Sequence, residues 1–179
     1  MSIYIPLALA AIIAVFLVFV ALQPSAFHVT RTTMISAPAS AAFALVNDFH
    51  EWEKWSPYEK LDPTMKKTFA GGQTGIGAVY TWSGNANVGD GRTTITESCP
   101  SELIRIKLEM MRPFAGTNDV EFSFMPDGKQ TAVTWSISGN YSFVPKAFGL
   151  FMNMDKMMGV QFETGLAQLK AVVESASQE

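Results

Sequence analysis

The groups in this chain able to move protons are Glu97, Glu109, Asp119, Glu121, Asp155, His28 and His50. General acid–base chemistry needs such a group held within hydrogen-bond reach of a substrate, and paired groups with separated roles are the usual arrangement. Glu109 and Glu121 alternate with apolar residues and so fall on the solvent side of their strands. His28 neighbours the N-terminal apolar segment, and none of these groups pairs convincingly with another. Asn85, Asn87, Thr94 and Thr96 could project amides and hydroxyls toward a cavity, where they would orient a ligand better than transfer a proton. Their ordinary use is turn and strand chemistry. The single cysteine, Cys99, makes no internal disulfide, and the two histidines have no Cys or His at metal-ligand spacing. No catalytic constellation, metal site or cofactor is expected.

Binding chemistry is better represented. The stretch NDFHEWEKWSPYEK, Asn47 to Lys60, places Trp52 and Trp55 among charged residues. An i, i+3 interval sends both rings to one side of a helical turn, with Glu51, Glu53 and Lys54 facing water and Pro57 stopping any continuation. Rings so placed either cap a core or line one end of a cavity. The methionines pose the same choice: Met152, Met154, Met157 and Met158 cluster at the start of the last helix, and Met110 and Met111 lie on a strand. Thioether chains adapt to irregular apolar shapes, in a pocket as in a core.

These residues need elements to hold them. FHVTRTTMIS alternates Phe27, Val29 and Arg31 against His28, Thr30 and Thr32, which predicts a strand. In APASAAFALVNDF, Pro38 enters a first helical turn and Ala39, Ala42, Phe43, Val46 and Phe49 share one face, which predicts a short amphipathic helix. From Met65 to about Ser142 successive strands follow. Tyr80 and Trp82 share a face with Ala78, and Ile104, Ile106, Leu108 and Met110 oppose Arg105, Lys107 and Glu109. Val120, Phe122 and Phe124 oppose Glu121 and Ser123, and Val133, Trp135 and Ile137 oppose Thr134 and Ser136. Gly- and Pro-rich breaks between these runs imply antiparallel hairpins. Last, Met154, Met158, Phe162, Leu166, Leu169 and Val173 recur every three or four residues, a long amphipathic helix. The order gives an α+β fold in which a curved antiparallel sheet grips the C-terminal helix.

At the other end, IYIPLALAAIIAVFLVFVAL, Ile3 to Leu22, carries no charge and spans about 30 Å as a helix, the thickness of a bilayer's hydrocarbon core. It reads as a transmembrane helix. Met1 and Ser2 supply no basic n-region and no A-x-A site follows, which argues against a cleaved signal peptide. Residues 1–26 are then an anchor and short linker, and 27–179 one domain. Arg31 is the nearest basic residue, and the positive-inside bias places the domain in the cytoplasm. A formal charge of −3, with 13 scattered Lys and Arg, gives no basic stripe for nucleic acid.

The segments ISAPASAAFALVNDFHEWEKWSPYEK, GIGAVYTWSGN, VGDGRTTITE, TAVTWSISG and FETGLAQLK together resemble the START/polyketide-cyclase (SRPBCC) superfamily with its helix-grip fold. The resemblance is nearest to its membrane-anchored, polyketide cyclase/dehydrase-like bacterial members and runs from about Phe27 to Val173. It implies an elongated apolar cavity between sheet and long helix that accepts lipids, polyketides or isoprenoids. Matched by position, Pro38 and Phe43 belong to the first helix and Trp52 and Trp55 to a second near the cavity mouth. Gly89 and Gly91 then fall in a turn between strands, and Gly165, Leu166, Leu169 and Lys170 on the gripped helix. The expected cavity residues are Trp52, Trp55, Tyr80, Trp82, Ile106, Leu108, Met110, Phe122, Phe124, Trp135, Met154, Met158 and Phe162. Two functions fit: membrane-tethered binding of a hydrophobic small molecule, or a cyclase, dehydratase or hydrolase acting on one.

Overall fold

The structure, a computed structural model, describes residues 4–177. Residues 1–3, where the expected span begins, and 178–179 lie outside the described residues. The first helix, α1 (Tyr4–Leu22), is uncharged and exposed almost all round, with only Val20 buried. It is long and apolar enough to cross a membrane.

Seven strands follow, interrupted early by helices. They are β1 (Ala26–Ile35), β2 (Lys66–Ala70), β3 (Val79–Ser83), β4 (Asp90–Cys99), β5 (Leu103–Arg112), β6 (Gly116–Asp127) and β7 (Gln130–Asn140). Every pairing is antiparallel, in the order β1-β7-β6-β5-β4-β3-β2. Register shifts between β4 and β5, at Asp90/Gly91 and Ile95/Glu97, are bulges of the kind that bend and twist a sheet. β2 and β4 have little strand signature in the sequence because β2 is short and almost wholly exposed, and β4 buries Thr93 between Gly91 and Ile95 rather than a run of large residues.

α2 (Ala39–Asn47) begins after Pro38 and buries Ala39, Ala42 and Val46. A 3₁₀ turn, Phe49–Lys54, and the five-residue α3, Pro57–Leu61, carry the Trp-rich stretch. After β7, a short helix α4 (Phe143–Gly149) precedes α5 (Met154–Ala176), whose N-cap Asn153 accepts a hydrogen bond from the Lys156 N–H. The sequence does not announce α4, since its apolar residues are exposed rather than periodic around a core. Met152 accordingly falls in the connection before the last helix, not on it.

α5 lies across the sheet and buries Phe162, Gly165, Leu166, Leu169 and Val173. Gly165 lets it approach closely, because a Cβ there would stand 2.7 Å from the Trp135 ring and 2.8 Å from Pro57. At its first turns Arg31 of β1 binds Asp155 at 3.1 Å and Glu163 at 2.8 Å, its guanidinium lying over Gly159. Lys170 donates to the Met34 carbonyl at 2.8 Å farther along. The sheet therefore holds this helix by its apolar face and by polar ties to β1.

Candidate functional site

Between sheet and α5 a cavity of about 540 Å³ remains, within the range of small-molecule sites. Its sheet wall follows from the alternation of side chains along each strand. Ile106, Leu108 and Met110 of β5 point inward, while outside Arg105 pairs with Glu97 and Glu121, and Glu109 pairs with Arg92 and Lys107. Tyr80 and Trp82 of β3 and Trp135 and Ile137 of β7 extend the wall. Trp135 stacks on Phe162 of α5 at 4.2 Å between centroids and 8° between planes, and its indole N–H is buried with no partner among the described residues. Met154, Met158 and Phe162 supply the helix wall, and Trp52 closes one side.

Trp55, Phe122 and Phe124 stand apart from this lining. Trp55 and Phe122 are completely buried and Phe124 is 3% exposed. Trp55 meets Phe122 and Trp135 edge to face at 5.9 and 5.8 Å, and Phe124 packs edge to face on Phe43 of α2. The inward face of β6 runs past the cavity into solid core beneath α2, so one strand face serves both purposes. Trp55 is thus a core ring behind the wall rather than a residue at the mouth. Both Trp rings also cap α2: the Trp52 N–H donates to the Val46 carbonyl at 3.0 Å and that of Trp55 to Leu45 at 3.2 Å. Those carbonyls belong to the last turn of a helix, where intrahelical partners run out.

Of the polar candidates, Asn87 lines the cavity; Asn85, Thr94 and Thr96 do not. The alternation of β4 turns Thr93 inward instead, where it is buried and its hydroxyl lies 3.4 Å from the Tyr80 carbonyl. Gly89 occupies a turn at φ +64°, whereas Gly91 lies within β4, opposite Trp82, and a Cβ there would strike that indole. His50 stacks on Phe69 and pairs with Asp48 away from the cavity, and His28 is exposed on β1. Asp155 is engaged by Arg31, and Asp119 is exposed.

The wall also contains groups that no pattern in the sequence marks: Ser56, Tyr58, Glu59 and Met65. Pro57 does not only stop the preceding turn: proline suits the first position of a helix, and here it opens α3, which carries Tyr58 and Glu59 inward. The Glu59 side chain is 8% exposed and accepts hydrogen bonds from the Tyr80 hydroxyl at 2.7 Å and the Lys67 ammonium at 2.8 Å. Burial, then the bond to Glu59 and the charges of Glu59 and Glu53, hold the Tyr80 phenol far above its ordinary range. Burial alone pushes the Tyr58 phenol up to about 12. Both rings therefore stay neutral at physiological pH.

The exposed part of the lining marks the mouth. Phe114 of the β5–β6 turn faces Phe148 of α4 at 6.1 Å, beside Met152 and Met157, all more than 40% exposed. Phe143, Val144 and Phe151, their neighbours in sequence, are exposed apolar residues too. α4 also packs against α1, and Lys146 donates to the Ala21 carbonyl at 3.3 Å.

Residues 26–174 match the family described as polyketide cyclase / dehydrase and lipid transport. The chain belongs to that family. Solved structures similar to this chain share its fold at low identity. A Nitrosospira multiformis protein is 20% identical, with a TM-score of 0.61, over 86% of this chain and 100% of that one. A Chromobacterium violaceum protein is 16% identical, with a TM-score of 0.59, over 85% and 99% respectively. The di-domain ARO/CYC StfQ from the steffimycin biosynthetic pathway is 11% identical, with a TM-score of 0.64, over 87% of this chain and 53% of that one. No curated protein matches the sequence. Within this family the chain has the helix-grip, α+β fold, with an additional N-terminal apolar helix.

Proposed function

We propose that the protein binds an elongated hydrophobic small molecule, of lipid, isoprenoid or polyketide type, in the cavity under α5 while α1 anchors the domain in a membrane. The observation that carries this reading is a 540 Å³ space walled by Trp, Phe, Met and Ile whose exposed rim is apolar. Such a wall gives a hydrophobic guest large contact area and few demands on its orientation. The rim beside α4 lies against the end of α1, so a bilayer entered by α1 would meet Phe148 and Phe151 next to the mouth. Ligand could then pass between bilayer and cavity with little exposure to water. Arg31, the first basic residue after α1, favours a cytoplasmic domain.

A specific observation favours an enzyme as the second reading: Glu59 places a carboxylate in the cavity wall beside a phenol. Both Glu59 oxygens are already engaged, by Tyr80 and Lys67, which suits holding a ligand better than carrying a proton away. The two readings part under one experiment. Full-length protein in lipid nanodiscs is titrated with cis-parinaric acid and studied by native mass spectrometry. Saturable binding with quenching of the indoles that line the cavity, and recovery of the guest unchanged, supports the binding module. Conversion of a bound guest supports the enzyme, and absence of binding to any apolar probe rejects both.

A further inference from the structure

Glu59 is out of place in a wall of aromatic and thioether groups. Taking a carboxylate out of water is costly, and a leucine would close the same wall without that cost. Nor does the local architecture need it, because Lys67 of β2 already reaches the 3₁₀ turn through Glu53 at 2.6 Å. Glu59 and Tyr80 both line the cavity, whereas Lys67 does not. The ammonium thus supports the carboxylate from behind, and the phenol lies beside it in the wall.

The donor and acceptor inventory then decides what the pair offers. Glu59 uses one lone pair of Oε1 on Tyr80 and one of Oε2 on Lys67, so a carboxylate with about four acceptor sites keeps roughly half of them. Tyr80 has given its only proton to Glu59 and retains acceptor capacity on its oxygen. From these two residues the cavity receives acceptors and no donor. Lys67 offsets the carboxylate's charge, which favours a neutral donor over an ammonium group. We infer that Glu59 and Tyr80 form an acceptor-only subsite that selects hydrophobic ligands carrying a hydroxyl or phenol group. This rests on the proposed ligand-binding role of the cavity and narrows its guests to hydroxylated ones, excluding pure hydrocarbons and fully etherified analogues. A hydroxyl on the guest would add a charge-assisted hydrogen bond to the carboxylate's remaining acceptor sites, and a guest without a donor forgoes that bond.

The test compares 2-naphthol with 2-methoxynaphthalene, matched in apolar body and differing in the donor. Each is titrated into full-length protein in nanodiscs and referenced to empty nanodiscs. The wild type is expected to prefer naphthol by about tenfold or more, and Glu59→Leu to abolish the preference while leaving the ether's affinity within about twofold. Should Glu59→Leu fail to fold, Glu59→Gln keeps the side chain's shape and is expected to cut the preference at least about threefold. Equal wild-type affinity for the two probes overturns the subsite and leaves the cavity's binding role intact, as does a preference that survives in the variant that folds. Binding of neither probe overturns both.

Discussion

Trp55 and Leu45 are joined by a hydrogen bond of 3.2 Å from the indole N–H to the helix-end carbonyl, made where the ring itself is wholly out of solvent. The Trp-rich stretch is therefore first a clamp on the end of α2. Trp52 closes α2 in the same way from the neighbouring carbonyl and also reaches the cavity, so the two rings divide the work between them.

Trp55→Ala should lower stability by about 3 to 5 kcal/mol through the void it leaves, with a further cost for the unpaired Leu45 carbonyl. Thermal unfolding should move down by about 10 °C or more. Residual folded protein should bind an apolar probe with the wild-type affinity, since Trp55 does not touch the cavity. A stable variant with weakened binding would return this ring to the cavity wall.

Leu108→Trp places extra volume into the space that Leu108 borders. The expected outcome is loss of cis-parinaric acid binding by at least about tenfold with a melting temperature close to wild type, because the added ring fills void rather than occupied core. Unchanged affinity would show that the ligand, if any, sits elsewhere.

The Asp90 carboxylate of β4, paired with Arg112 of β5, gives a pH signature. The hydrogen bond from Arg112, against the opposing effect of burial, holds its pKa at about 2, below the ordinary 3.8. A depressed carboxylate pKa stabilises the fold above the unfolded value, and that contribution is lost as pH falls from about 3.8 through 2. Carboxyl-detected NMR should follow Asp90 titrating near 2, and Asp90→Asn should flatten the fall in melting temperature between pH 4 and 2. A titration midpoint near 4 in the folded protein would dismiss the pairing in solution.

An α1 embedded in lipid should keep the full chain in the membrane fraction through high-salt and carbonate washes. Phe148→Asp with Phe151→Asp should leave that fractionation intact while slowing transfer of a fluorescent fatty acid from the protein's own vesicles by several-fold. Extraction by carbonate would refute the anchor. Unaltered transfer would refute the rim's part in exchange.

Periodicity made the strands and α5 legible, because every inward face of β3, β5, β6 and β7 repeats large apolar residues at a spacing of two. It could not distinguish wall from core. Leu108 and Phe122 obey the same rule on adjacent strands, and only the placement of α2 and α5 over the sheet decides which of them meets empty space. Glu59 escaped for another reason. A charged residue in a five-residue helix gives no amphipathic pattern, and its burial depends on Lys67 and Tyr80, which arrive from β2 and β3. α4 was invisible because its apolar residues face outward.

The strand order has a consequence for how the chain assembles during synthesis. β2 to β7 form a meander of neighbours, each able to zip onto the last as it emerges, whereas Ala26 of β1 pairs with Asn140 of β7. At ordinary translation rates β1 waits on the order of ten seconds for its partner. If α1 has entered the bilayer by then, that unpaired strand is held at the lipid surface with its edge open, and closure of the sheet is the late, long-range event that α5 seals.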